Sequence, residues 1–196
     1  ETAKFLQIKS ALYDTHSDFE DEYRKLVSQQ IIVNEKQDAT REILFKNREI
    51  LKDPSRMGRL LVLAFADTVD LYEQITATWY DYRQLRERFA STGLLDEVAA
   101  IIKKIAAEID AIGLAIQSNS HFKKQYDLIA DLNTLKAKID TLDDTQNSHL
   151  VLKKILVNLR KLGEHVDELS NYFSLTISTK GRIRNKTDYS KFVSHN

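Results

Sequence analysis

The chain has no cysteine among its 196 residues. That excludes disulfides, a thiolate nucleophile and any cysteine-based metal site, and it leaves no redox clue to compartment. It has one proline and five glycines. Both residues punctuate chains, so their scarcity predicts long unbroken helices. It has no excess charge of either sign: 29 Lys+Arg balance 29 Asp+Glu. Nucleic-acid binding wants a basic face, which this balance does not suggest. Neutrality also removes electrostatic help with solubility. No apolar run reaches the roughly 18 residues that a membrane-spanning helix needs, and no signal-peptide pattern opens the chain. The sequence holds no glycine-rich phosphate loop and no nucleophile elbow. We find no credible Ser/His/Asp grouping either.

What is present is helical patterning. Hydrophobic residues make up 42% and charged residues 30%, a globular composition with the charge content of helical bundles. The length suits one domain or two small ones. Phe5, Ile8 and Leu12 mark one helix face over residues 1 to about 14. Ser17 followed by Glu20 reads as a capping box that starts a second helix. That helix carries Phe19, Tyr23, Leu26, Val33, Leu44 and Leu51, with a polar centre, NEKQDATRE. Asp53 as N-cap and Pro54 at the first helical position open a third. Its seam runs through Leu61, Phe65, Thr68, Tyr72, Ile75, Trp79, Tyr82 and Phe89 in alternating three-and-four spacing, and Gly93 ends it.

Residues 95 to about 117 place Leu95, Val98, Ile102, Ile105, Ile109, Ile112 and Ile116 on one face, with Lys103, Lys104, Glu108 and Asp110 elsewhere. A helix over about 121–142 carries Phe122, Tyr126, Ile129, Leu132, Leu135, Ile139 and Leu142. The last, about 148–173, carries Leu152, Ile155, Leu159, Leu162, Val166, Leu169 and Phe173. From about 176 the pattern gives way to a polar, basic tail. The predicted fold is all-α: an elongated antiparallel bundle of about six helices, several long. Residues 1–175 would form the bundle domain and 176–196 a tail toward a membrane segment. The abrupt start, without Met, reads as an excised fragment.

Three features could carry chemistry. Asp67, Asp70 and Glu73 share part of a helix surface and could offer oxygen ligands to a metal. Di-iron bundles need Glu-x-x-His pairs, which this chain lacks. The plainer expectation is ion pairing, with Arg56 and Arg59 as partners. Trp79, Tyr80 and Tyr82 could line a ligand pocket. The seam spacing of Trp79 and Tyr82 favours core or interface, so Trp79→Ala is expected to cost roughly 3–5 kcal/mol. Arg83, Arg86 and Arg88, mixed with Asp81 and Glu87, read as a solvated, ion-paired face. Gly58 and Gly113 lie inside helices, where close packing would offset their cost of ~1 kcal/mol against Ala. No catalytic, cofactor-binding or metal residue is assigned.

The stretch DPSRMGRLLVLAFADTVDLYEQITATWYDYRQLRERF, residues 53–89, resembles the soluble helical domain of YccS/YhfK-type proteins. These belong to the FUSC-like (fusaric acid resistance, aromatic acid exporter) group of bacterial inner-membrane proteins. The matching features are Arg56-Met57-x-Arg59-Leu60-Leu61, Asp67, Asp70-Leu71-Tyr72-Glu73 and Asp81-Tyr82-x-x-Leu85-Arg86. The opening ETAKFLQIKSALYD is also similar to the helix after the family's first membrane block. The resemblance implies a cytoplasmic domain between two membrane blocks of a transporter-type protein. Its expected role is scaffolding, oligomerisation or gating, without catalysis or cofactor. Its expected partners are the membrane block of the same parent chain and further copies of itself, not nucleic acid or a small molecule. Two rival readings stand beside it. One is a PhoU-like metal- or anion-responsive regulator using Asp127/Asp131 and Asp140/Asp144. The other is an adaptor binding a partner helix in an exposed apolar groove.

Overall fold

Three aspartates open helices. Asp18 Oδ1 accepts a hydrogen bond from the amide of Asp21, Asp81 Oδ1 from that of Gln84, and Asp127 Oδ1 from that of Ala130, each at 3.0 Å. A carboxylate at this position satisfies an amide that the first helical turn leaves without a partner. The computed structural model describes residues 1–46, 56–142 and 149–174. Among them are seven α-helices and no strand: α1 Thr2–Ala11, α2 Phe19–Lys46, α3 Arg56–Ala77, α4 Tyr82–Phe89, α5 Leu94–Gln117, α6 Leu128–Asp140 and α7 His149–Ser174. The expected Asp53–Pro54 helix start and the basic tail lie outside the described residues. No described helix is long and apolar enough to cross a membrane.

Several boundaries differ from the sequence reading, each for a local reason. Ser17 does not form the capping box. Its hydroxyl donates backward to the carbonyls of Ala11 and Asp14, and Asp18 caps α2 instead. The helix expected to run unbroken to Phe89 stops at Ala77 and restarts at Tyr82. Thr76 and Thr78 donate to the carbonyls of Tyr72 and Gln74, at 3.0 and 2.9 Å. Such back-bonding weakens a helix, and Asp81 then offers a fresh cap. The helix expected from about 121 begins only at Leu128. Gly93 adopts φ +71° after a short 3-10 turn, Ala90–Thr92, and ends that segment as predicted. Only a residue without Cβ takes this conformation freely.

Helix α5 is the centre of the core. It packs against α1, α4, α6 and α7, while α7 also meets α3 and α6. Val98, Ile105, Ile112 and Leu95 are almost fully buried, as are Leu152 and Ile155 of α7 and Leu135 and Ile139 of α6. Each such side chain stabilises the fold by roughly 1.5–3 kcal/mol. Helix α2 is different. It has 28 residues against 10 in α1, so at about 1.5 Å per residue it outruns its neighbour. Its polar centre is exposed, with only Leu44 buried beyond Val33.

Burial also departs from expectation at single positions. Trp79 is 55% exposed, because it falls in the irregular segment 78–81 rather than on a continuous seam. Tyr72, Ile75, Tyr82 and Phe89 are buried as predicted, whereas Leu61, Phe65 and Thr68 are half-buried. Ile129 is 62% exposed, on the outer side of α6. Glu108, expected away from the α5 face, is fully buried. Gly58 is buried, but Gly113 is exposed with no atom near its would-be Cβ, so close packing does not explain it.

Candidate functional site

The α1–α2 turn and the α3–α4 break face each other, and Arg86 joins them. From α4 its guanidinium donates to the carbonyls of Leu12 (2.9 Å), Ala11 (2.8 Å) and Ser17 (2.9 Å), and to the Ser17 hydroxyl (2.8 Å). Two of these carbonyls belong to the C-terminal end of α1, where the last turn leaves acceptors without partners. The planar fork suits several oxygens at once. Burial pulls the Arg86 pKa down, and the nearby Asp14, Glu22 and Asp18 oppose that. The ring of Phe19 lies beneath Arg86 at 5.4 Å and beneath Arg83 at 4.9 Å, cation–π contacts that anchor the start of α2. Arg83 also pairs with Glu20. The expected solvated arginine face is therefore corrected at Arg86, which turns inward.

A second cation ties the neighbouring helix end. Lys9, buried in α1, donates to the carbonyls of Ile75 and Thr78 (2.8 Å for the latter). These close the C-terminal end of α3, where the helix dipole favours positive charge. Burial nevertheless pushes the Lys9 pKa down to about 8. So α1 receives a cation from α4 at its C-terminus and sends one to the C-terminus of α3.

Aromatic rings fill the space between. Tyr82 is buried and meets Tyr13 at 5.1 Å, Trp79 at 5.3 Å and Tyr80 at 6.3 Å, all edge-on. Trp79 also meets Tyr23 at 5.7 Å. Edge-to-face pairs of this kind add about 0.5–1.5 kcal/mol each beyond burial. Burial raises the pKa values of Tyr13, Tyr80 and Tyr82. The Tyr80 hydroxyl accepts from Asn158 of α7. Beside Lys9, Tyr13, Thr78, Tyr80 and Asn158 lies a recess of about 20 Å³. That is room for one water molecule, far below the few hundred Å³ of a ligand pocket.

The structure thus gathers Asp81, Tyr82 and Arg86 at one junction but does not bring Asp67, Asp70 and Glu73 together with them. Asp67 accepts a hydrogen bond from Tyr172 of α7, whose pKa burial, Asp67 and Glu168 together push up to about 12. Asp70, Glu73 and Arg59 are exposed, and no ion pair among the described residues joins Arg59 to any of the three acids. The Arg56 side chain lies outside the described residues. Among the described residues no three His, Cys, Asp or Glu side chains converge as a metal would require. The acids of the PhoU-like reading have other partners. Asp127 caps α6, Asp131 pairs with Lys104 at 2.7 Å and Asp140 with Lys136 at 2.6 Å. Asp144 is outside the described residues.

Two residues of structural weight escaped the sequence reading. One is Lys9. The other is Glu108, whose Oε1 accepts from the amides of Gln125 and Tyr126, both at 2.7 Å. That anchor holds residues 121–127 out of the helical conformation expected there. Each residue stands inside an apolar seam, Phe5–Leu6–Lys9–Leu12–Tyr13 and Ile101–Ile105–Glu108–Ile112, and a charge in a seam is the signal that marks it.

The junction defines a class: an all-α protein in which the charged and aromatic residues most like a site close helix ends and join helices. The family model described as FUSC-like inner membrane protein yccS matches residues 1–172. The chain belongs to the FUSC-like family of inner membrane proteins. No curated protein and no solved structure matches it.

Proposed function

We propose that the chain is a non-catalytic helical domain on the cytoplasmic face of the inner membrane. There it serves a transporter-type protein as scaffold, oligomerisation element or gate. The observation that carries this reading is what the motif residues do. Arg86 and Asp81 serve helix ends, Tyr82 is core, and Asp67 is taken up by Tyr172. Residues used this way transmit position between helices rather than act on a substrate.

An antiparallel arrangement of sequential helices fits this role. It is supported by the paired ion contacts Lys104–Asp131 and Glu97–Lys138, in which one number rises as the other falls. The same holds for Lys124–Asp167 and Asn133–Arg160. Packed helices of this kind move as units when a ligand or membrane block pushes on one of them.

The placement is tested by labelling. The chain has no cysteine, so a cysteine at exposed Ser91 in the cellular protein gives one reporter within it. A membrane-impermeant maleimide is expected to label S91C only after spheroplasts are opened. Labelling of closed spheroplasts would overturn the cytoplasmic placement.

A further inference from the structure

We infer that the face formed by Trp79 and the first half of α7 docks on the anionic surface of a lipid bilayer. Trp79, Leu150 and Val157 are 55%, 55% and 50% exposed, and they line one open groove with Lys153 and Lys154. These five residues make a mixed apolar and cationic surface. From His149 to Gly163 the helix carries Lys153, Lys154, Arg160 and Lys161 and no acid. Its acids, Glu164, Asp167 and Glu168, come afterwards. A chain with zero net charge therefore concentrates cations on the stretch of α7 that also exposes apolar side chains.

Charge complementarity names the occupant. The groove needs a surface that is apolar beneath and negative at its edge. Anionic lipid has that layered chemistry: headgroups meet lysines while Trp and aliphatic side chains enter the boundary with the acyl chains. Tryptophan favours that depth because its ring is apolar and its N–H is polar. Lysine reaches outward from it on a flexible stem. A second copy of the chain would have to supply an apolar face rimmed with acids, and the test below separates the two. Membership of an inner membrane family places a bilayer within reach. The inference deepens the proposed placement by naming what the domain lies against, and it rests on the family rather than on the scaffold role.

Trp79 is the only tryptophan and reports its own environment. With vesicles of phosphatidylglycerol, its emission in the 196-residue chain is expected to shift to the blue, and added salt to reverse the shift. Phosphatidylcholine vesicles should leave it unchanged. Each lysine near an anionic surface contributes enough that Lys153→Gln with Lys154→Gln should weaken vesicle binding roughly thirtyfold. Equal emission with both lipids would overturn the inference, as would full binding by the double variant. A blue shift that follows protein concentration without lipid would also overturn it, assigning the face to a second copy. The maleimide experiment fails independently. Labelling of closed spheroplasts alongside vesicle binding would remove the cytoplasmic placement and leave the docking face standing.

Discussion

Lys9 shows how one side chain can hold a helix end and still carry a cost. Its folded pKa of about 8 lies below the ordinary 10.5. Between those values the unfolded chain binds more protons, so stability rises with pH there. The burial cost is fully present below about pH 8 and is relieved as pH climbs. The gain by about pH 10 should be about 2 kcal/mol. Above about pH 10 the sign reverses. Buried Tyr13 and Tyr82 keep their protons while unfolded tyrosines lose theirs, and stability falls. Urea melts across this range should show a maximum in the chain, and Lys9→Met should lose the rise while keeping the fall. At Trp79 the exposed position replaces the expected core role. Trp79→Ala should cost about 1–3 kcal/mol, the worth of edge contacts with Tyr23 and Tyr82, as the same melts would show. Periodicity alone could not reveal this, because Trp79 has seam spacing and loses its seam only where the helix breaks.

Among elements, the sequence was informative wherever apolar spacing was long and caps were local. The α5 and α7 seams, the exposed centre of α2 and the stop at Gly93 follow from spacing and one left-handed residue. At two of the misjudged boundaries a distant group adds to the local cause. The end of α3 is also held by Lys9, 66 residues away from Ile75, and the segment before α6 by Glu108. No local rule carries that information. Glu108→Leu should therefore destabilise the chain by about 3 kcal/mol, since it leaves two amides without their acceptor. Hydrogen exchange should speed at Gln125 and Tyr126 in this variant, with Glu108→Gln intermediate because its carbonyl can still accept. Unchanged exchange at both amides would mean that water already satisfies them.

Across the whole molecule, family membership and geometry meet at the junction of α1, α3 and α4. The motif segment Asp81–Tyr82–Arg86 was legible as a unit in the sequence. Its partners, the carbonyls of Ala11, Leu12 and Ser17, were not, because backbone acceptors leave no trace in residue type. The reading of Asp67, Asp70 and Glu73 as one acidic set dissolves for a similar reason: Asp67 turns toward Tyr172 while the other two face outward. The assignment of Arg86 as a tie rather than a ligand-binding group is tested most directly by thermal unfolding of Arg86→Ala. Loss of its charged hydrogen bonds should cost about 3 kcal/mol, lowering Tm by roughly 6–12 °C in a chain of this size. A Tm equal to that of the unaltered chain would contradict the structural role and return Arg86 to the surface as a binding residue.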